Sequence, residues 1–310
     1  PTRLRVALLP ARLAQKLGLW RWVLRSGLLP GFLARLARML PEDGAMWPAD
    51  LPARFAPTGR SSPPTGGAKM RVGLLPGCVG SVLYREVNKK AAELLAACGA
   101  EVVVPAEAAC CGAIHQHNAR RDEARLLARR NIAVFRRLGV DRVVSTIAGC
   151  GAMLREYDVL LRDDGGWTAP AGRFVQGVRD VSEVLLELGM PPAKRAVERS
   201  AVYHDACHLA HAQGVTTAPR VLLGRVPGLR LLDLAESDIC CGAAGTYNLT
   251  QPRMASDLAR RKLDRIAAAG ASVCIAGNLG CALHLRGEAM AAGRELEVLH
   301  PVEVLHEAMV

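Results

Sequence analysis

Eight of the ten cysteines in this 310-residue chain fall into two sets of four. The first set is Cys78, Cys110, Cys111 and Cys150, and the second is Cys207, Cys240, Cys241 and Cys281. Corresponding members lie 129, 130, 130 and 131 residues apart (78 to 207, 110 to 240, 111 to 241, 150 to 281). Each set holds one adjacent pair followed by glycine, Cys110-Cys111-Gly112 and Cys240-Cys241-Gly242. Neighbouring side chains of a regular strand face opposite ways, so adjacent thiolates meet one centre only where the backbone bends. Gly112 and Gly242 supply that freedom and let the chain pass close to a bulky cofactor, which makes both of them cofactor-binding candidates.

Four converging thiolates are a soft ligand set, suited to an iron–sulfur cluster or zinc. Zinc sites usually show short paired spacings such as C-x2-C twice. Each set here has a single close pair whose members are adjacent, so an iron–sulfur cluster is the favoured reading and all eight cysteines are candidate metal ligands. A metal-free redox or structural thiol set, including a disulfide between adjacent cysteines, is the main alternative, and zinc is the next. Cys98 and Cys274 stand outside the repeat in apolar surroundings and read as buried structural residues. His204, His208 and His211 surround Cys207, and His115 and His117 follow the first pair. Capping and hydrogen bonding within a polar turn is the expected role of these histidines. Metal ligation, or protonation near a quinone or cluster, is the alternative; on a helix His204 and His208 would share a face. No G-x-G-x-x-G opens a helix, no P-loop occurs, and no catalytic residue is assigned.

The elements that must position these cysteines repeat as well. A period of about 130 residues is domain-sized and points to tandem duplication. Gly149-Cys-Gly-Ala-Met-Leu-Arg155 parallels Gly280-Cys-Ala-Leu-His-Leu-Arg286. In the first copy, strands are expected at Met70–Pro76, Glu101–Pro105 and Asp141–Thr146, with helices near 84–98 and 119–138. In the second, strands are expected at Ser200–His204, Arg230–Leu234, Ala271–Ala276 and Glu297–His300, with helices near 252–268 and at the end. Between the copies, Ser182–Leu188 reads as a helix. Such alternation implies an α/β fold of two mainly parallel sheets flanked by helices, with the cysteines at the carboxyl ends of strands.

Upstream, residues 1–41 read as two or three short helices interrupted at Pro10, Pro30 and Pro41. Eight positive charges precede the first acid, Glu42, out of a formal net charge of +11. This basic amphipathic arm either packs on the next domain or meets an anionic membrane surface or a partner. Residues 42–68, rich in Pro, Gly and Ser, read as a linker. The expected organisation is therefore arm 1–41, linker 42–68, first domain 69–195 and second domain 196–310. No nucleic-acid partner is expected, because the positive excess sits in a tail without a binding motif. There is no signal like that of a secreted protein, and clustered cysteines then favour metal or redox chemistry over a disulfide scaffold. No run approaches the roughly eighteen apolar residues needed to span a bilayer. A first residue other than Met suggests a fragment or a processed chain.

The Cys…Cys-Cys-Gly…Cys pattern, with 31 and 32 residues in its first gaps, resembles the tandem CCG cysteine-rich domains of heterodisulfide reductases and of lactate-utilisation iron–sulfur proteins. Tyr203-His-Asp-Ala-Cys-His-Leu-Ala-His-Ala-Gln-Gly214, Asp238–Pro252 and Gly277-Asn-Leu-Gly-Cys281 resemble the glycolate oxidase iron–sulfur subunit family. The resemblance covers roughly 70–310 and implies an electron-transfer subunit with iron–sulfur clusters of the 4Fe–4S type. It implies flavoprotein partner subunits that oxidise glycolate to glyoxylate, and electrons passed to the membrane quinone pool. It also implies a cytoplasmic location on the inner face of the membrane. Further clusters are expected in a ferredoxin-like part that this family carries upstream and this chain lacks. The heterodisulfide reductase pattern ends in C-x-x-C, and here Ile147 and Asn278 replace the first of those cysteines. That departure weighs against disulfide reduction, the competing activity, while lactate and glycerol-3-phosphate remain alternative substrates of the partner subunits.

Overall fold

The computed structural model describes residues 2–42, 45–58, 68–108 and 110–309. Nine strands form two sheets among the described residues. The first holds β1 (Arg54–Phe55), β2 (Met70–Leu74), β3 (Ala100–Val103), β4 (Arg142–Ser145) and β5 (Val178–Asp180), in the order β1-β3-β2-β4-β5. The second holds β6 (Arg199–His204), β7 (Leu229–Leu232), β8 (Val273–Ala276) and β9 (Glu297–Leu299), in the order β7-β6-β8-β9. Apart from antiparallel β1, every pairing is parallel. Each copy therefore runs second strand, first, third, fourth. Central strands such as β8 are buried along their whole length, as expected when helices cover both faces of a parallel sheet.

The helices repeat the same logic. Arg121–Leu138 buries Ala124, Ala128, Ile132 and Phe135, and Pro252–Ala268 buries Ala255, Ala259, Leu263 and Ile266. The two lists are related residue by residue by an offset of 131. In both, small residues lie at the amino-terminal end, so the helix approaches its cysteine pair closely, and large ones fill the core further along.

The copies share one continuous apolar core that draws on both sheets. Backbone and side-chain bonds stitch them together. Ala148 N donates to the Gly277 carbonyl at 3.2 Å, Gln213 Nε2 to the Ala148 carbonyl at 2.9 Å, and Arg155 Nη1 to the Gln213 carbonyl at 2.9 Å. His300 Nε2 lies 2.9 Å from the Thr146 carbonyl.

Two sequence expectations are corrected. The first arm helix, Thr2–Lys16, runs straight through Pro10. The carbonyl freed by the proline belongs to Val6, and both residues lie on the exposed face where water can satisfy it. The breaks fall at residues 17–19 and 26–30, before helices Trp20–Arg25 and Gly31–Met39, the second break ending at the expected Pro30 and the last helix stopping just before the expected Pro41. Secondly, the stretch read as a linker contributes β1, which pairs Arg54 with Val103 and Phe55 with Val102. Its most Pro- and Gly-rich part, residues 59–67, lies outside the described residues.

The arm packs on the second copy. Met39 sits over Gly287, Arg35 Nη1 donates to the Asn248 carbonyl at 3.3 Å, and Arg12 is buried with Nη1 donating to the Pro41 carbonyl at 2.6 Å. Leu17, Trp22, Leu28 and Phe32 of the arm remain exposed. Among the described residues, no helix is long and apolar enough to cross a membrane.

Candidate metal centre

Each cysteine follows the carboxyl end of a strand. Cys78 comes after β2, the pair Cys110-Cys111 after β3, and Cys150 in the helix Ala148–Arg155 that follows β4. Cys207 opens the short helix Cys207–Ala210 after β6, Cys240-Cys241 follow β7, and Cys281 lies in the helix Leu279–Ala291 after β8. Both crevices open into one cavity of about 230 Å³ between the copies, and all eight cysteines line it. Leu36 and Met39 of the arm complete its wall, a contribution that the sequence did not signal. All ten cysteines are free thiols.

Within each set the sulfurs form a chain of contacts. Cys78 meets Cys110, Cys110 meets Cys111, and Cys111 meets Cys150. Cys207 meets Cys240, Cys240 meets Cys241, and Cys241 meets Cys281. Adjacent cysteines turn to the same side because the glycine after them takes a left-handed backbone, φ 90° at Gly112 and 91° at Gly242. The same turn aims each glycine N–H back at a sulfur, Cys110 Sγ at 3.4 Å and Cys240 Sγ at 3.3 Å.

The electrostatics of the two sets differ. Hydrogen bonding to Cys110 and burial raise Cys78 above the ordinary thiol range. Cys110 is raised chiefly by its bond to Cys111. Cys111 is lowered by Cys110, but contact with Cys150 and burial outweigh this and carry it well up. In the second set Cys240 is lowered, by hydrogen bonds from Cys207 and then Cys241. Cys281 is held well below the usual range by Cys241, against the effect of burial, with His204 and Asn278 adding to the shift. Cys207 and Cys241, the donors, are raised. In both sets the thiols share hydrogen bonds, and a metal that takes them displaces their protons, since cysteine binds metal as the thiolate.

The backbone around each pair is held by a residue from the following helix. Asn131 Nδ2 donates to the Cys110 carbonyl at 3.1 Å, and Tyr157 Oη to the Cys111 carbonyl at 2.8 Å. The residue matching Asn131 is Lys262, whose buried ammonium binds the carbonyls of Glu236 and Ser237. Asn278, which stands where a fifth cysteine would be, donates from Nδ2 to Cys281 Sγ at 3.3 Å and accepts from Gly149 N at 3.3 Å. Ile147, its counterpart, is a buried apolar contact of the cavity wall.

Of the histidines, His211 Nε2 lies 3.3 Å from the Asp238 carbonyl and His208 Nδ1 lies 3.6 Å from Cys207 Sγ. The rings of His117 and His208 face each other across the two copies, 6.0 Å between centroids. His204 is the last residue of β6, not part of a helix, so it shares no helical face with His208. Cys98 and Cys274 are fully buried away from the cavity lining, where burial pushes their thiols up to about 11 and about 12.

The donors present fit a soft metal or cluster: eight sulfurs, amide N–H groups aimed at two of them, and an apolar wall. Comparison with known proteins agrees with this repeat. Residues 72–155 and 201–286 each match the CCG family, described as a cysteine-rich domain. The chain is 34% identical over 313 aligned residues, 99% of its length and 69% of the relative, to a "Probable glycolate oxidase iron-sulfur subunit" of Bacillus subtilis. It is 31% identical to the "Glycolate oxidase iron-sulfur subunit" of Escherichia coli, covering 78% of this chain and 58% of that one. It is 30% identical to "Lactate utilization protein A" of Halalkalibacterium halodurans, covering 76% of this chain and 97% of that one. A crystal structure of a hypothetical protein from Helicobacter pylori shares the fold, with a TM-score of 0.58 and 13% identity over 82% of this chain and 51% of that one. With its duplicated cysteine set, its matching strand orders and these relatives, the chain belongs to the CCG cysteine-rich domain family, which it carries in two copies.

Proposed function

We propose that this chain is the iron–sulfur electron-transfer subunit of a complex that oxidises a 2-hydroxyacid, with glycolate the favoured substrate. The observation that carries the reading is the single cavity into which both cysteine sets open. Cys78, Cys110, Cys111 and Cys150 would hold one cluster, and Cys207, Cys240, Cys241 and Cys281 the other. A bound cluster of the 4Fe–4S type would supply one-electron transfer. The chain's own residues prepare the site for it. The glycine amides after each pair stabilise negative charge on Cys110 and Cys240, and hydrogen bonds to cluster sulfurs raise reduction potential. The wall around the cysteines is mainly apolar. We assign the oxidation of the substrate to flavoprotein partner subunits, in keeping with the named iron–sulfur subunit relatives. The relatives named for lactate utilisation make lactate the second candidate substrate.

The arm is read as the face that meets the membrane surface, from the cytoplasmic side, where the quinone pool would accept electrons. What supports this is its run of basic residues beside exposed Trp22, Leu28 and Phe32.

Iron and acid-labile sulfide measured on anaerobically purified protein test the central reading. Both are expected in similar amounts, and the double change Cys240→Ser/Cys241→Ser should remove about half of each. Protein that takes up zinc alone, or no metal, would refute the cluster assignment.

A further inference from the structure

His204 sits against the second cysteine set in a manner the first set does not reproduce. One of its ring nitrogens and the sulfurs of Cys241 and Cys281 all lie within 4.8 Å of one another. Nδ1 is 3.0 Å from the Ser237 carbonyl, an acceptor only, so Nδ1 carries the proton in that contact. The lone pair of the neutral ring is then on Nε2. That atom is buried with no nitrogen or oxygen partner, the ring's remaining interaction is with the Cys281 thiol, and His204 as a whole is 0% exposed. A buried ring nitrogen set among thiols calls for an explanation. A metal-binding histidine commonly donates its other ring N–H to a backbone carbonyl, which fixes tautomer and orientation, and the Ser237 contact has that form.

The matching residue of the first copy is Leu75, 129 positions earlier, the same offset that relates Cys78 to Cys207. Leu75 is also fully buried but offers no donor atom. The two copies therefore both bury a side chain at this position but give it different chemistry.

We propose that Nε2 of His204 is a fifth protein donor to the centre held by Cys207, Cys240, Cys241 and Cys281, so that the second centre has mixed sulfur and nitrogen ligation and the first has sulfur alone. The proposal relies on the iron–sulfur reading for the identity of the metal, and on the placement of His204 for the ligation. The imidazole adds a nitrogen donor to the second centre while its four thiolates stay in place, so the two centres differ in ligation and not in the number of sulfur ligands.

The test uses the full chain made with heavy-nitrogen histidine, loaded anaerobically with iron and sulfide, reduced, and read by electron–nuclear double resonance. The expected result is the coupling of a directly bound imidazole nitrogen in one of the two signals, the one that Cys240→Ser/Cys241→Ser removes. It should vanish in His204→Leu, which copies Leu75, and persist in His208→Gln, which removes the neighbour of Cys207. The measurement on the unaltered chain stands even if the buried substitution prevents folding. Iron that Cys240→Ser/Cys241→Ser removes from the second site, without any directly coupled label in the parent chain, overturns the proposal and leaves the iron–sulfur reading in place. If neither site takes up iron, the iron–sulfur reading fails. The same label read on cobalt(II)-loaded protein then decides the ligation by itself: a directly coupled imidazole supports it, and none overturns it.

Discussion

The two glycines after the cysteine pairs have the same backbone angle but different surroundings, and alanine substitution should separate them. A Cβ at Gly242 would stand 2.4 Å from the Ala255 carbonyl oxygen and 3.1 Å from that residue's carbonyl carbon and Cα. All three belong to the backbone of the helix Pro252–Ala268, so nothing flexible can give way. At Gly112 the nearest atom is Ala124 Cα at 3.3 Å, a tight contact short of overlap. Forcing an alanine into the left-handed region costs roughly 1–2 kcal/mol at either site. Overlap with helix backbone adds roughly 1–3 kcal/mol at Gly242 alone. The stiffer unfolded chain returns roughly 0.4–1 kcal/mol in both cases. Gly242→Ala should therefore destabilise by about 3 kcal/mol and Gly112→Ala by about 1 kcal/mol. That difference of about 2 kcal/mol is roughly a thirtyfold change in the folding constant. Urea unfolding of the metal-free protein under reducing conditions reads both, as a shift in midpoint at unchanged slope. Asparagine, which tolerates the left-handed region, should recover most of the loss at position 112 and little at 242. Equal costs at the two glycines, or the larger cost at Gly112, would refute the close approach of the second cysteine loop to its helix.

Asp180 caps the helix Val181–Leu188 from a buried position, accepting from Ser182 N at 2.9 Å while Glu183 accepts from Asp180 N at 2.7 Å. Burial raises its carboxyl to about 6 despite the Ser182 bonds. The folded value lies above the unfolded one, so the contribution is full below about pH 4 and lost as pH rises through about 6, amounting to about 3 kcal/mol. Asp180→Asn keeps a cap and removes the titration. Its urea stability should lack the decline between pH 4 and 6, and parallel pH profiles for the two proteins would count against the account. In the arm, Trp22→Ala with Leu28→Ala should weaken binding to anionic vesicles by about tenfold in flotation while leaving thermal unfolding unchanged. Unaltered flotation would leave the arm a packing role only.

The gathering of the eight cysteines was legible because cysteine is rare and its spacing repeats, so both sets stand out in the sequence without any structure. The parallel strands were legible for a related reason, since short apolar runs ending just before each cysteine leave few other readings. His204 was not. The four residues Ala201–His204 are all buried, so the strand lacks the alternation that would say which way its last side chain points. Only a helix beginning before Cys207 would align His204 with His208, and the strand β6 extends through His204. Pro10 misled because a proline costs a helix only what its freed carbonyl cannot regain, and on an exposed face water supplies it. The seating of Leu36 and Met39 in the cavity wall depends on the arm's route across the second copy, which local sequence does not encode.

Asn278 occupies a cysteine's place yet binds in two directions, to its own copy's Cys281 and to the Gly149 amide of the other. Duplicated domains begin as self-sufficient units, either of which can be lost or exchanged without harming its twin. A side chain that completes one copy's ligand sphere while closing the other's helix start removes that independence. Asn278→Cys could supply a fifth sulfur to the second copy and would at the same time untie the first. A change at position 278 is therefore felt in both copies at once, and the two cysteine sets are tied through one side chain.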